Sequence, residues 1–439
     1  MLRAAALLAA AACVPAQPVQ AGGRTHLLRQ RTTQVQGQRI LATSPTGRLD
    51  QQAPVALGGI GCGYIAIRPD GMVTSAAIAG DGRPTGELPA CFAAIWTRAA
   101  GTSEARILAN RARFQLPPVQ SLKSDALYPE LTLIPVGRSM PVDAMLRIFS
   151  PFVPGDLQSS SQPCLCYLFT LKNTTAFPVD VSVAVSFQNA MDTGAPGPNG
   201  APQRWILRAS GVRRGFGASF GAIGSRSGMT LLAGPPRRDA TVSWTGWIPN
   251  GQRPAWWTSF ENTGDLPGEP GPQNAGAVVV AMRLALKPKE TLQAPFALSW
   301  FSTGGGGSRN AGHYYEESYK DSDSVAQSLI ANWRSLYALT DEWRHALLSS
   351  SLPTVLADRL VSSVQTFSTQ TALTADGRFG FLSGNASETA VRLVSPSERL
   401  RVCTLALSLF PDLAGQELDR YTRLEISTGE FRSPHPAWI

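Results

Sequence analysis

Charge is sparse in this sequence: Asp, Glu, Lys and Arg make up 16% of 439 residues. No long run carries one sign, which argues against a disordered polyelectrolyte tail. Lys and Arg (39) outnumber Asp and Glu (31), but the excess is mostly Arg and spread along the chain. No basic cluster is interleaved with aromatics, so nucleic acid is not an expected partner. Apolar runs stay below the ~18–20 residues that span a bilayer, and no collagen or heptad period is present. Neither a C-x2-C pair, a zinc motif, a phosphate loop nor a G-x-S-x-G elbow occurs, and no metal or cofactor is expected.

What is present is a 43% apolar fraction with 41 Gly and 33 Pro. At ~100–200 residues per domain, the length allows two to four domains with real cores. The N-terminus reads as a secretory leader: basic Arg3, a short apolar run Ala4–Ala12, and a small-residue cleavage site at Val19-Gln20-Ala21. This predicts a secreted or periplasmic protein, with a lipoprotein through Cys13 as the weaker alternative. Beyond the leader remain Cys62, Cys91, Cys164, Cys166 and Cys403, which read as small buried hydrophobes; no disulfide is predicted.

The pattern is β first and α second. Residues 22–53 form a polar leader segment, 54–305 a β domain and 306–439 a helical one. Tyr128–Val136, Cys164–Lys172 and Val179–Phe187 have strand character; Val179, Val181, Val183 and Val185 alternate with Asp180 and Ser182. Lys172–Pro178 and Lys287–Glu290 have hairpin chemistry. Short strands separated by Gly, Pro and Asn predict a large antiparallel β-sandwich. The stretch Ile248–Gln273 reads as a long loop, and Gly304–Ser308 as a hinge or linker.

Helical spacing follows. Val325, Leu329, Trp333, Leu336 and Leu339 fall on one face. Pro353 opens another helix reaching about Leu373, with Leu356, Leu360, Val364 and Phe367 on its face. Ser397 to Phe410 reads as a further helix ended by Pro411.

Several segments carry a resemblance. Ala56–Tyr64 (Ala-Leu-Gly-Gly-Ile-Gly-Cys-Gly-Tyr) and Leu88–Trp96 come first. Phe149–Asp156, the Ser159–Ser161 run, Lys172–Asn189 and Trp300 follow, then His313-Tyr314-Tyr315, Trp333, Leu352-Pro353 and Leu407–Leu413. In this order they resemble the family 116 glycoside hydrolases, which include β-glucosidases, β-xylosidases and non-lysosomal glucosylceramidases. The resemblance implies an N-terminal β-sandwich packed on an (α/α)6 helical domain. It also implies retaining cleavage of β-glycosides by a Glu nucleophile and an Asp acid/base, two carboxyl groups ~5–5.5 Å apart. Carbohydrate or a glycolipid is the implied partner.

The sequence departs from that pattern where the chemistry sits. Ser383 stands where the resemblance puts the nucleophile, and a hydroxyl without a paired base does not replace a carboxylate. Glu388 would serve only after re-registration of its loop. Glu398 adjoins Ser397, which aligns with a substrate-binding Asp, but also reads as a first-turn helix Glu. His435 falls near a sugar-holding His-Asp pair, with Pro436 at the Asp position; the alternative is an exposed tail His. His313 reads as structural, and His26 and His345 belong to no constellation. Trp256 and Trp257, with Trp244 and Trp247, suit either sugar stacking or internal packing.

Twelve helices of ~11–12 residues with ~4–6-residue connections need more chain than Asn310 to Ile439 offers. The helical domain is therefore expected to be incomplete. Apolar residues such as Leu405, Leu407 and Leu409 are then expected to be exposed, favouring self-association. The sequence predicts either a catalytically impaired glycosidase or a non-catalytic carbohydrate-binding protein.

Overall fold

The computed structural model describes residues 49, 52–79, 84–137, 140–192, 203–211, 215–303, 312–383, 392–393 and 403–424. The leader, Cys13, His26 and the Gly304–Ser308 segment lie outside them.

The chain opens with β1 (Val55–Leu57), β2 (Tyr64–Ile67) and β3 (Val73–Ala77), a small antiparallel sheet. The next strands are β4 (Phe92–Ala99), β5 (Thr102–Ile107), β6 (Ser121–Leu127), β7 (Glu130–Val136) and β8 (Val142–Phe149). After them come β9 (Cys164–Asn173), β10 (Val179–Gln188), β11 (Trp205–Ser210), β12 (Phe216–Ala222) and β13 (Gly228–Ala233). The sandwich closes with β14 (Thr241–Trp247), β15 (Ala277–Leu286) and β16 (Thr291–Phe301). One sheet has the order β14-β15-β10-β4-β5; the other runs β11-β12-β13-β16-β9-β8-β7-β6.

Val181, Val183 and Val185 of β10 and Val278 and Val280 of β15 belong to the main buried core, with Phe169 and Phe296 from the larger sheet. The opposite face of the smaller sheet, including Ala94, Trp96, Ala184 and Val279, is also buried, in a second cluster. Both faces are thus covered, and period-two alternation marks register rather than one wet face.

Two expected hairpins are instead arches between the sheets. β9 pairs with β8 and β16, while β10 pairs with β4 and β15. The chain therefore crosses from one sheet to the other at Lys172–Pro178, and back at Lys287–Glu290. Asn173 stitches the arches together: its side-chain amide donates to the carbonyls of Leu286, Lys287 and Phe177 at 3.2, 3.0 and 2.7 Å. A buried amide satisfied this way fixes the crossover.

The stretch Ile248–Gln273 is not all loop either. It holds a helix, Trp256–Thr263, ended by Gly264 with φ +77°, a left-handed cap.

A 27-residue helix, Ser322–Leu348, lies against β16 and β13 and extends past Leu339, the last residue of the expected face. Asp321 caps it, accepting from the Ser324 N–H at 2.8 Å. Val325, Leu329, Trp333 and Leu336 are buried as spaced, whereas Leu339 is exposed. The helix opened by Pro353 is shorter than expected: Thr354–Ser363, a break, a turn at Thr366–Thr369, then β17 (Thr371–Leu373). Ala357 and Val361 are buried on this helix, Val364 and Phe367 are buried just beyond its end, and Leu356 is exposed. β17 pairs with β18 (Phe379–Ser383), which pairs with β19 (Arg392–Leu393).

The helix expected before Pro411 does end there, and a further helix follows. Helix Cys403–Leu409 precedes the proline, and Pro411 opens a second helix, Pro411–Leu424. Of the apolar residues expected at the surface, Leu407 is exposed and Leu405 half-buried, but Leu409 is buried. Among the described residues the order is β-rich sheets followed by helices. No described helix is long and apolar enough to cross a membrane.

Candidate functional site

The Gly-rich segment after β1 is wedged between the sandwich and the helical part, and glycine is required by space. A Cβ on Gly59 would lie 2.7 Å from the Gln162 carbonyl oxygen, and one on Gly61 (φ +67°) 2.7 Å from the Leu373 nitrogen. One on Gly63 (φ +79°) would lie 2.0 Å from the Ala77 oxygen. Close packing therefore accounts for the glycine pattern.

Hydrogen bonds hold the loop on both sides. Toward the sandwich, the Ile60 N–H donates to Ser160 O at 2.8 Å, and the Trp300 indole N–H to Cys62 O at 2.7 Å. The Cys62 thiol is directed at Ser161 O at 3.0 Å. Toward the helical part, the Gly61 N–H donates to Thr371 Oγ1 at 3.0 Å, and Ser368 Oγ donates to Gly58 O at 2.6 Å. Tyr128 OH reaches the same Ser368 hydroxyl at 3.1 Å.

β18, whose last residue is Ser383, is thereby fixed through β17. Ser383 pairs through its main chain with Arg392 of β19. A second clamp on β18 was not apparent from the sequence. Glu417, on helix Pro411–Leu424, is buried and accepts from the Phe381 N–H at 3.1 Å. Its spacing from buried Leu413 and Ala414 is the signal that could have flagged it, since i, i+3 and i+4 share a helix face.

His313 sits beside this loop. Its ring stacks on Tyr315 with centroids 4.8 Å apart and planes 9° from parallel. Burial lowers its pKa below the ordinary 6.5, with the Glu316 carboxylate and the Gly61 main chain pulling the other way. Glu316 also accepts from the His313 N–H at 2.8 Å and pairs with Arg226 at 2.7 Å. His313 is thus a structural joint, as its sequence context suggested.

The remaining candidates separate. The side chain of Ser383, and Glu388, Glu398 and His435, lie outside the described residues. Trp256 and Trp257 are buried in an aromatic cluster with Phe92, Phe260 and Trp247. Their rings contact each other at 5.5 Å, Trp256 also stacks on Phe92 at 6.3 Å, and Trp257 packs on Phe260 at 5.5 Å. Internal packing rather than sugar stacking describes this pair, because neighbouring rings occupy their faces. Trp244 alone of the four is half-buried.

Cys62, Cys91, Cys164 and Cys166 are free and buried. Burial pushes the Cys91 thiol up to about 12 and raises the other three as well. They remain thiols at neutral pH and are unsuited to nucleophilic chemistry. Among the described residues no His, Cys, Asp and Glu group could hold a metal ion.

No curated protein matches the chain. Among solved structures, a putative kojibiose phosphorylase from human microbiome is 8% identical, with a TM-score of 0.25, over 84% of this chain and 34% of its own. A polysaccharide lyase is 12% identical, with a TM-score of 0.30, over 56% of this chain and 33% of its own. The chain spans about a third of the length of these two proteins. Residues 54–336 match the family model described as beta-glucosidase 2, glycosyl-hydrolase family 116 N-term. That match takes in the Gly-rich loop, both sheets of the sandwich and the first half of the long helix, and the chain belongs to glycosyl hydrolase family 116.

Proposed function

We propose that the protein recognises β-glucosides or glucosylceramide-like glycolipids, and that its own hydrolytic capacity is impaired. The family match over residues 54–336 carries the carbohydrate reading. In retaining hydrolysis a carboxylate attacks the anomeric carbon, and a second carboxyl group protonates the leaving oxygen. The resemblance puts the attacking carboxylate at Ser383, whose hydroxyl would need a base beside it to attack. Glu388 is the replacement within reach in sequence, and Glu398 and His435 are the proposed sugar contacts. In this reading the end of β18 borders the sugar site, and the helices form part of an (α/α)6-type arrangement.

A second reading, non-catalytic carbohydrate binding, is favoured by the same serine. Export through the N-terminal leader belongs to the proposal and is testable by fractionation. Self-association is supported by exposed Leu407 and Leu418 on the last two described helices, and gel filtration tests it. Calorimetric titration with methyl β-glucoside and methyl β-xyloside tests recognition: saturable heat supports it, and its absence with both ligands rejects it.

A further inference from the structure

The two sheets leave a mouth at each of their open edges. One is lined by Glu104, Arg106, Val119 and Met140, and there Glu104 and Arg106 already pair with each other at 2.8 Å. The other is a groove of about 410 Å³ between β14 and the β11–β12 hairpin, lined by Ser210, Gly211, Phe216, Pro235, Val242 and Trp244 among others. That volume falls in the ~300–1,000 Å³ range of small-molecule sites.

Five features distinguish the second groove. Val242 and Trp244 are two apart on β14 and present the same face to it. Trp244 is half-buried and Phe216, on the facing sheet, is 45% exposed. Among the described residues neither ring packs on another aromatic ring, in contrast to the cluster around Trp256. β11 and β14 are the outermost described strands of their sheets, so each turns one row of main-chain N–H and C=O groups outward. Finally, none of the described lining residues is charged, and the buried Ser210 hydroxyl has no partner among the described residues.

An aromatic face beside main-chain donors and acceptors, with no charge among the described lining residues, suits a neutral molecule that has one apolar face and a rim of hydroxyls. We propose that this groove binds a neutral oligosaccharide, with a pyranose ring stacked on Trp244 and flanked by Phe216. It is separate from the sugar site proposed near Ser383. Only the choice of a β-linked glucan as first probe rests on the function proposed above.

Native gel electrophoresis through soluble β-glucan, with an α-glucan as parallel probe, tests this. The native chain is expected to be retarded by β-glucan, and Trp244→Ala to need at least tenfold more polysaccharide for equal retardation. Phe216→Ser, at an exposed position, is expected to weaken retardation several-fold and guards against a folding defect in the first variant; thermal melts check both. Retardation by α-glucan alone that is lost in Trp244→Ala upholds the groove while counting against the β-glucoside reading. Equal retardation of the native chain and both variants overturns the proposal, as does no retardation of the native chain by either glucan.

Discussion

The main-chain N–H of Gly61 donates to Thr371 Oγ1 at 3.0 Å, joining the first loop of the sandwich to the strand that leads to Ser383. No room remains at that contact, because a Cβ on Gly61 would lie 2.5 Å from the Leu373 Cβ. Gly61→Ala is therefore expected to lose ~1–3 kcal/mol, combining left-handed strain with overpacking. Gly86→Ala, where no described residue lies within 4 Å of the new methyl group, is the matched control and is expected to be near neutral. Thr371→Val leaves the Gly61 donor unpaired and is expected to cost ~1–3 kcal/mol. Urea melts of the three variants provide the comparison.

A second joint is electrostatic. Arg344, on the long helix, reaches Glu130 of β7 at 3.3 Å, and Arg147 of β8 stands 3.9 Å from the same carboxylate. Burial alone would lower the Arg344 pKa, but Glu130 and Asp341 outweigh it and the net shift is upward. Removing Arg344 leaves the buried Glu130 carboxylate with only the more distant Arg147 and the Thr132 hydroxyl, so Arg344→Leu is expected to lose up to ~3–5 kcal/mol. The double variant Glu130→Leu/Arg344→Leu is expected to recover much of that loss. Equal losses in the single and double variants would show that the pair does not hold the helix to the sheet.

His313 gives the stability a pH dependence of known sign. Its pKa is lowered in the fold, so the unfolded chain binds the proton first as pH falls. Its contribution is complete above 6.5 and declines between 6.5 and the lower folded pKa. The slope is at most ~1.4 kcal/mol per pH unit. His313→Phe keeps a ring to stack on Tyr315, and its melting temperature is expected to vary less with pH between 5 and 7 than that of the native chain.

Thiol labelling reports on the core. Cys91 is buried, its sulfur accepting from the Gln188 N–H at 3.3 Å. Cys62, Cys164 and Cys166 are equally enclosed. All four are expected to resist a thiol reagent in the native state and to react within minutes in denaturant. Fast native labelling at any of them, mapped by mass spectrometry, would contradict this packing.

The strands were legible in the sequence because β-branched alternation and Gly/Pro/Asn turns are local signals. Their partners were not. Lys172–Pro178 has the same composition whether the chain folds back in one sheet or crosses to the other, and only Asn173 bridging to Leu286 and Lys287 decides it. The long helix announced itself through Val325, Leu329 and Trp333, whereas Leu339 was misassigned: it is exposed in mid-helix, and the buried face passes instead through Leu336, Thr340 and Leu347. At the candidate site, the sequence drew attention to the glycines and to Ser383. It missed Thr371 and Ser368, because hydroxyls that meet main-chain groups hundreds of residues away leave no local pattern, and it passed over Glu417, whose one local signal is its place on the helix face of Leu413 and Ala414. The Trp256–Trp257 pair was ambiguous for a related reason: a ring's composition is the same in a core as on a sugar.

Release of aglycone from a nitrophenyl β-glucoside tests the central claim most directly, because so good a leaving group needs no protonation and isolates the nucleophilic step. If Ser383 holds the place the resemblance gives the nucleophile, as proposed, the native chain is expected to stay at background and Ser383→Glu to rise above it. Turnover by the native chain that disappears in Glu388→Gln would contradict the account and make Glu388 the nucleophile.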